Sequence, residues 1–399
     1  MIYRFGQFSL DPDRYELLEA GEPRRIEPQV FDLLCCLIER RDRVVSADEL
    51  IEVVWQGRIV SDASLTSRVR DARRAIGDDG KDPRWIRTVR RRGFRFVGDV
   101  DVSGQDSGPG PQSADVRPAH PSQDVHFCRS ADGTRIAYAV AGAGPPLVKS
   151  ANWLNHLEFD WESPVWQPFI AALGERHRLI RYDQRGTGLS TRNLEGAELD
   201  GFVDDLKAVA DAAGLERFPM VAASQAVPVA IAFAVRHPER VSGMVLYGGY
   251  AVGRVFRDSG PGDVTEEAIL ALIRAGWGLA GSAFVNAFSS LFMPDATREQ
   301  LDSFVRTQLT SIAPDEAAKL RSIVDRFMVV DLLDKVRVPV LVIHAEGDAI
   351  HPIAQGRLLA SEISGARFVT LDSRNHVPLP QLEAWQRMMR EIHAFLDEI

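Results

Sequence analysis

The 399-residue sequence contains no apolar run long enough to span a bilayer as a helix, and its opening residues, MIYRFGQFSL, lack a charged-then-apolar signal pattern. These absences predict a cytoplasmic protein with no membrane partner. Cysteine is scarce. Cys35, Cys36 and Cys128 give an odd count and no CxxC spacing, which supports neither a disulfide framework nor a zinc site. No metal and no cofactor is expected. Basic charge is also short overall, with a net charge of −9 at pH 7. The deficit is uneven, however: residues 1–55 hold 7 Lys+Arg against 12 Asp+Glu, and residues 56–100 hold 12 against 6. A basic face confined to one segment of an acidic chain points to a local polyanion contact.

Residues 1–26 alternate apolar and polar in short runs broken by Asp11-Pro12-Asp13 and Gly21, which predicts a small antiparallel sheet. Three helices follow. The first places Val30, Leu33, Leu34 and Leu37 on one side; Ser46 and Glu49 have the spacing of a capping box for the second. The third starts at Ser61 or Asp62 and ends near Ile76. Its Leu65, Val69, Ala72 and Ile76 project within about 60° of one another, leaving Ser64, Ser67, Arg68, Arg70, Asp71 and Arg74 outward. Two alternating runs, Trp85 to Val89 and Gly93 to Val97, then flank Arg90, Arg91 and Arg92 as a hairpin with a basic tip.

The motifs VVWQGRIVSDASLTSRVRDARRAIGD and WIRTVRRRGFRFVG carry a resemblance to the winged-helix output domain of OmpR/PhoB-type regulators, especially the CadC/ToxR-like group. It covers essentially residues 1–98. The resemblance implies an N-terminal α+β winged helix-turn-helix domain, residues 1–100, that binds double-stranded DNA. Its third helix would enter the major groove. There arginines pair with guanine, Ser64 and Ser67 read base edges, and Asp71 accepts from cytosine. Arg90, Arg91 and Arg92 would contact phosphate and position the domain.

Residues 101–124 draw 18 of 24 from Asp, Ser, Gly, Gln and Pro, too little apolar surface to order a segment, and are expected to be a flexible linker. A core restarts at Val125. Within residues 125–399, Pro219 to Ala222 reads as a buried strand and Gln225 to Arg236 as a helix stopped by His237-Pro238, with Ser224 at the sharp turn between them. Such a turn exposes the hydroxyl and aims the helix's free N–H groups at it.

Ala222-Ala223-Ser224-Gln225-Ala226 resembles the nucleophile elbow of the α/β-hydrolase fold, with alanine at both positions where the family has glycine. The run Asp183-Gln184-Arg185-Gly186-Thr187-Gly188-Leu189-Ser190 matches the family's D-x-R-G-x-G-x-S, which braces the loop near the elbow. The resemblance implies a doubly wound, mostly parallel sheet with a helical lid, here about residues 251–336. It also implies a catalytic Ser224, Asp348 and His376, in family order and each just after a strand. His376 would take the serine proton and Asp348 would hold its tautomer; neither His344 nor His351 is expected to be catalytic. Gln225 and, in the loop where relatives have His-Gly, Asn152 or Trp153 are expected to hold the oxyanion. Trp153, Phe159, Trp161 and Trp166 are candidates to line a ligand cavity, as are some of the lid's aromatic residues.

Three functions compete at this point. The chain is read first as a one-component transcriptional regulator whose hydrolase-like domain senses a small, largely apolar ligand. The alternative is an active serine hydrolase of esterase or lactonase type with a DNA-binding attachment, degrading its own inducer. A third reading makes the hydrolase half a dimerisation module. One winged helix gives a small interface with DNA, so a homodimer on two half-sites is expected.

Overall fold

A computed structural model describes residues 2–12, 16–24, 26, 28–41, 43–47, 49–50, 62–78, 83–89, 92–103, 123–192, 194–257, 265–277 and 282–399. The chain divides into two compact units, Met1–Val116 and Arg117–Ile399.

In the first unit the strands β1 (Ile2–Phe5), β2 (Phe8–Asp11), β3 (Glu16–Glu19), β4 (Glu22–Pro23) and, after the helices, β7 (Asp101–Ser103) form an antiparallel sheet in the order β4-β3-β2-β1-β7. Helices α1 (Pro28–Glu39) and α2 (Asp62–Ala75) bury the apolar stripes expected of them: Leu33, Leu34 and Leu37 from the first, and Leu65, Val69 and Ala72 from the second. Ser46 accepts from the Glu49 N–H as a cap. The helix it would start runs into residues outside those described. The hairpin β5 (Ile86–Val89) and β6 (Gly93–Phe96) completes the unit. Phe5 packs edge-on against both Trp85 and Phe96, with ring centroids 5.2 Å apart in each pair, so sheet and hairpin share one core.

The expected linker is shorter than residues 101–124 at both ends. Asp101–Ser103 pairs with β1 as an edge strand, and Gln123 and Asp124 already belong to the next sheet. Strand pairing uses backbone groups, so these segments order through main-chain hydrogen bonds despite their linker-like composition. Residues 104–122 lie outside the described residues.

The second unit is built on eight strands in the order β15-β14-β13-β12-β10-β11-β9-β8. β8 (Gln123–Arg129) and β9 (Arg135–Ala141) form an antiparallel hairpin that meets β11 (Arg178–Tyr182) antiparallel; the remaining pairings are parallel. β10 (Pro146–Lys149), β12 (Phe218–Ala223), β13 (Val241–Tyr247) and β14 (Val340–Ala345) are nearly continuous apolar runs, as strands covered on both faces must be. β15 (Arg367–Leu371) closes the edge.

Between β13 and β14 lie the lid helices α3 (Glu266–Gly276), α4 (Ala283–Phe292), α5 (Arg298–Ser311) and α6 (Pro314–Val324). Trp277, Phe288, Phe292 and Phe304 form a connected aromatic core for them, whereas Met328 is 46% exposed. Because the central strands are parallel, the loops after β10, β12, β14 and β15 emerge at one end of the sheet. Ligands bind in that crevice in folds of this type.

Candidate active site and nucleic-acid interface

β12 ends at Ala223 and the following helix, Ala226–Arg236, begins three residues on, so the chain must reverse through Ser224 and Gln225. Ser224 does this at φ 55°, in the left-handed region where a Cβ crowds the next carbonyl. Ala222 and Ala226 are completely buried beside it, which explains why only small residues fit these positions.

At the end of β14, the Asp348 carboxylate divides its work. Oδ1 accepts from the backbone N–H groups of Ile350 and His351, at 2.8 and 3.0 Å, and Oδ2 lies 2.7 Å from His376 Nδ1. Burial alone would raise the carboxyl; the His376 imidazole and these hydrogen bonds bring it below its usual range instead. His376 is also tied to the lid, since its backbone N–H and that of Val377 both donate to the Phe292 carbonyl.

The serine is placed differently from the expectation. Its Oγ lies 3.3 Å from Nε2 of His351, and among the described residues it makes no hydrogen bond with His376, although both line one cavity. His351, expected not to be catalytic, is thus the histidine hydrogen-bonded to the serine. The turn that Asp348 ties down carries it back toward the elbow, and its ring stands edge-on to that of His376 with centroids 5.2 Å apart. Position in sequence carries no sign of this return.

The tautomer of His351 follows from its other nitrogen. Arg257 Nη2 is 3.4 Å from Nδ1, and a guanidinium can only donate, so Nδ1 accepts and Nε2 carries the proton. His351 therefore donates to Ser224 Oγ and leaves the serine O–H unused. Burial, and then the neighbouring His376, Arg257, Arg321 and His344, hold His351 well below the usual histidine range, so it stays neutral.

The backbone N–H groups of Gln225, Asn152 and Trp153 have no acceptor among the described residues, which leaves them available to an oxygen at the end of the sheet. The loop without His-Gly is held from below. Lys149 Nζ donates to Asn152 Oδ1 at 2.6 Å, and burial pushes this ammonium down to about 8. Beside it Asp160, also enclosed, is pushed up to about 6 by burial. Sequence reading misses this internal polar cluster because Lys149 sits in what reads as an ordinary strand end.

The 183–190 run braces the site. Asp183 is fully buried and accepts from the Leu189 N–H and Asn155 Nδ2, Ser190 Oγ donates to the Asp183 carbonyl, and a Cβ on Gly188 would fall 2.2 Å from Asp183 Oδ2. Arg185 forms a buried fork with Asp205 at 2.7 and 2.8 Å. Above the elbow, a cavity is lined by Trp153, Trp166, Phe169, Phe292 and Phe304 together with Asn152, Ser224 and His376. Phe159 and Trp161 do not reach it; they lie under Arg306 and Arg181.

In the first unit, Arg70 and Arg74 are exposed on α2, and Arg92 is exposed in the hairpin turn. Arg68 and Asp71 are half-buried, and Asp71 pairs within the helix with Arg68 at 3.4 Å and with Arg74 at 3.9 Å. Its carboxylate thus supports two of the candidate arginines instead of standing free for a base. The side chains of Ser64 and Ser67, and all of Arg90 and Arg91, lie outside the described residues. Arg73, which sequence reading passes over, donates to the Ile86 carbonyl at 2.7 Å and to Thr88 Oγ1 at 2.9 Å, fastening helix to hairpin.

Comparison with known proteins agrees with both units. Residues 21–96 match the family described as transcriptional regulatory protein, C terminal, and residues 157–381 match the alpha/beta hydrolase fold. The chain is 28% identical over 251 residues to the "Putative carbamate hydrolase RutD" of Azorhizobium caulinodans, covering 60% of this chain and 88% of that protein. It is 29% identical over 189 residues to the "Transcriptional activator CadC" of Escherichia coli, covering 47% of this chain but only 35% of that activator's length. An esterase from Exiguobacterium antarcticum superposes with a TM-score of 0.58 at 20% identity, over 68% of this chain and 98% of that one, a likeness in fold. Among the described residues no helix is long and apolar enough to cross a membrane. The chain belongs to the alpha/beta hydrolase fold family and carries, ahead of that fold, the DNA-binding domain of OmpR/PhoB-type transcriptional regulators.

Proposed function

We propose that this protein is a one-component transcriptional regulator that binds DNA through its winged helix as a homodimer and senses a small, largely apolar molecule in the cavity above Ser224. The carrying observation is that cavity, walled by aromatic rings, with a serine and a histidine at its floor, in a chain that also holds a DNA-binding domain. A concave, mostly apolar lining with few polar groups is what a small-molecule site requires. The test is Ser224→Ala in the full chain. If ligand-dependent DNA release survives with unchanged affinity, binding alone is the switch; if an acyl-enzyme burst and the response vanish together, the switch is chemical.

The hydrolase reading is favoured by one specific observation, the left-handed Ser224 beside an Asp348–His376 pair. In that reading Ser224 Oγ attacks an acyl carbon while its unused proton passes to His376, and Asp348 stabilises the imidazolium. The oxyanion is received by the Gln225 N–H with that of Asn152 or Trp153. His351 contributes by occupying one serine lone pair, which orients the hydroxyl. A search for acyl-enzyme with p-nitrophenyl butyrate tests this; a full chain that never forms one sinks it.

A further inference from the structure

One side chain of the 183–190 run joins the elbow to the loop after β10. Gln184 lies just beyond the end of β11 and is 1% exposed. Its carbonyl accepts from the Thr187 N–H and from the Thr187 hydroxyl, each at 3.1 Å, so the turn of the run fixes its backbone. From there its amide reaches both ways. Gln225 Nε2 donates to Gln184 Oε1 at 2.5 Å, and Gln184 Nε2 donates to the Asn152 carbonyl at 3.3 Å. A backbone carbonyl only accepts, so Gln184 has to face it with nitrogen and turn its oxygen to Gln225.

What this bridge orients is a peptide plane. The bond between Asn152 and Trp153 is trans, so its N–H points opposite to its C=O. With the Asn152 carbonyl engaged by Gln184, the Trp153 N–H is turned away from Gln184 and has no acceptor among the described residues. Trp153 lines the cavity that Ser224 and His376 also line. Lys149 secures the same loop through the Asn152 side chain and leaves the peptide plane to Gln184. The other free N–H, that of Gln225, belongs to the residue at the far end of the bridge. Two donors that have to converge on one oxygen are thus joined through a single buried amide, and such preorganisation matters most when charge develops on that oxygen.

We propose that Gln184 is a positioning residue for acyl transfer at Ser224, setting the Trp153 N–H against the Gln225 N–H so that both receive the oxyanion. The inference rests on the hydrolase reading of Ser224 and adds the residue that assembles its oxyanion site.

The experiment is phosphonylation of the full chain by an alkyl fluorophosphonate. The bond from Ser224 Oγ to phosphorus forms, the P–F bond breaks, fluoride leaves, the serine proton passes to His376, and the phosphonyl oxygen takes the place of the oxyanion. Gln184→Met is expected to lower kinact by about 10–100-fold and leave Ki unchanged, since misdirected donors cost the transition state and not the apolar contacts. Gln225→Met cuts the bridge at its other end, keeps the backbone N–H and is expected to do the same; it stands in if Gln184→Met does not fold. A spectroscopic signature separates orientation from general damage. Asn-Trp occurs once in the chain, so isotope labelling of asparagine at its carbonyl carbon and of tryptophan at its nitrogen marks a single amide, that of Trp153. Its proton is expected to move downfield in the wild-type adduct and not in the Gln184→Met adduct. A fall in kinact of less than about tenfold, a loss carried by Ki, an unmoved Trp153 signal in the wild-type adduct, or a shift that Gln184→Met does not diminish overturns the role of Gln184. A wild type labelled at Ser224 at a rate indifferent to Gln184 loses the positioning role and keeps the hydrolase reading; a wild type that the probe never labels loses both.

Discussion

The turn at Ser224 makes an energetic prediction that two substitutions isolate. Ser224→Gly and Ser224→Ala both delete the hydroxyl and its contact with His351, so they differ only by a Cβ at φ 55°. A Cβ in that region costs about 1–2 kcal/mol. Glycine gives back about 0.4–1 kcal/mol through the extra freedom of its unfolded chain. The Gly variant should therefore exceed the Ala variant in stability by about 0.8 kcal/mol at the middle of these ranges. With a urea slope of about 3 kcal/mol/M, its midpoint lies roughly 0.2–0.3 M higher. Tryptophan fluorescence suits the assay, because Trp153, Trp161, Trp166, Trp277 and Trp385 are in the second unit and only Trp55 and Trp85 in the first. A Gly variant as stable as the Ala variant, or less so, would mean that the chain relaxes at this turn, and the strained-elbow account would fall.

Other outcomes follow from buried charge and from the helix–hairpin contacts. Arg185→Met leaves the enclosed Asp205 carboxyl without its partner, and should cost about 3–5 kcal/mol in chemical denaturation; a loss under 1 kcal/mol would contradict the bracing role given to this loop. Asp160 has its folded value raised to about 6 from 3.8, so its stabilising contribution is complete below about pH 4 and lost as pH rises through 6. The stability of wild type relative to Asp160→Asn should thus fall by up to about 3 kcal/mol between pH 4 and 6, and a constant difference refutes the shift. Arg92→Ala should weaken DNA binding alike on all sequences and reduce the salt slope by about 1, whereas Arg70→Ala should alter sequence preference. Arg73→Met should loosen the hairpin, costing the first unit about 1–3 kcal/mol without changing which sequence is preferred.

Much of this architecture is legible in the sequence because apolar periodicity and turn residues are local signals. Phe218 to Arg236 gives its strand, turn and helix in this way, and Leu65, Val69 and Ala72 give α2 its buried stripe. What stays hidden depends on return paths through space. His351 is three residues from Asp348, but only the turn closed by Asp348 Oδ1 sends it back to Ser224, and no periodicity encodes that. Lys149 looks like the last residue of a strand until its enclosure beneath Asn152 is seen. Asp101–Ser103 has linker composition and strand structure, since the β1 edge supplies the hydrogen bonds.

The central claim is that occupancy of the Ser224 cavity changes DNA binding. A fluorophosphonate that bonds covalently to Ser224 fills the cavity whatever the natural ligand is, and DNA selected from a random pool by the full chain supplies a target. Fluorescence anisotropy should then show a shift in DNA affinity for labelled wild type and none for Ser224→Ala treated the same way. Full labelling at Ser224, verified by mass spectrometry, with unchanged affinity would contradict the account.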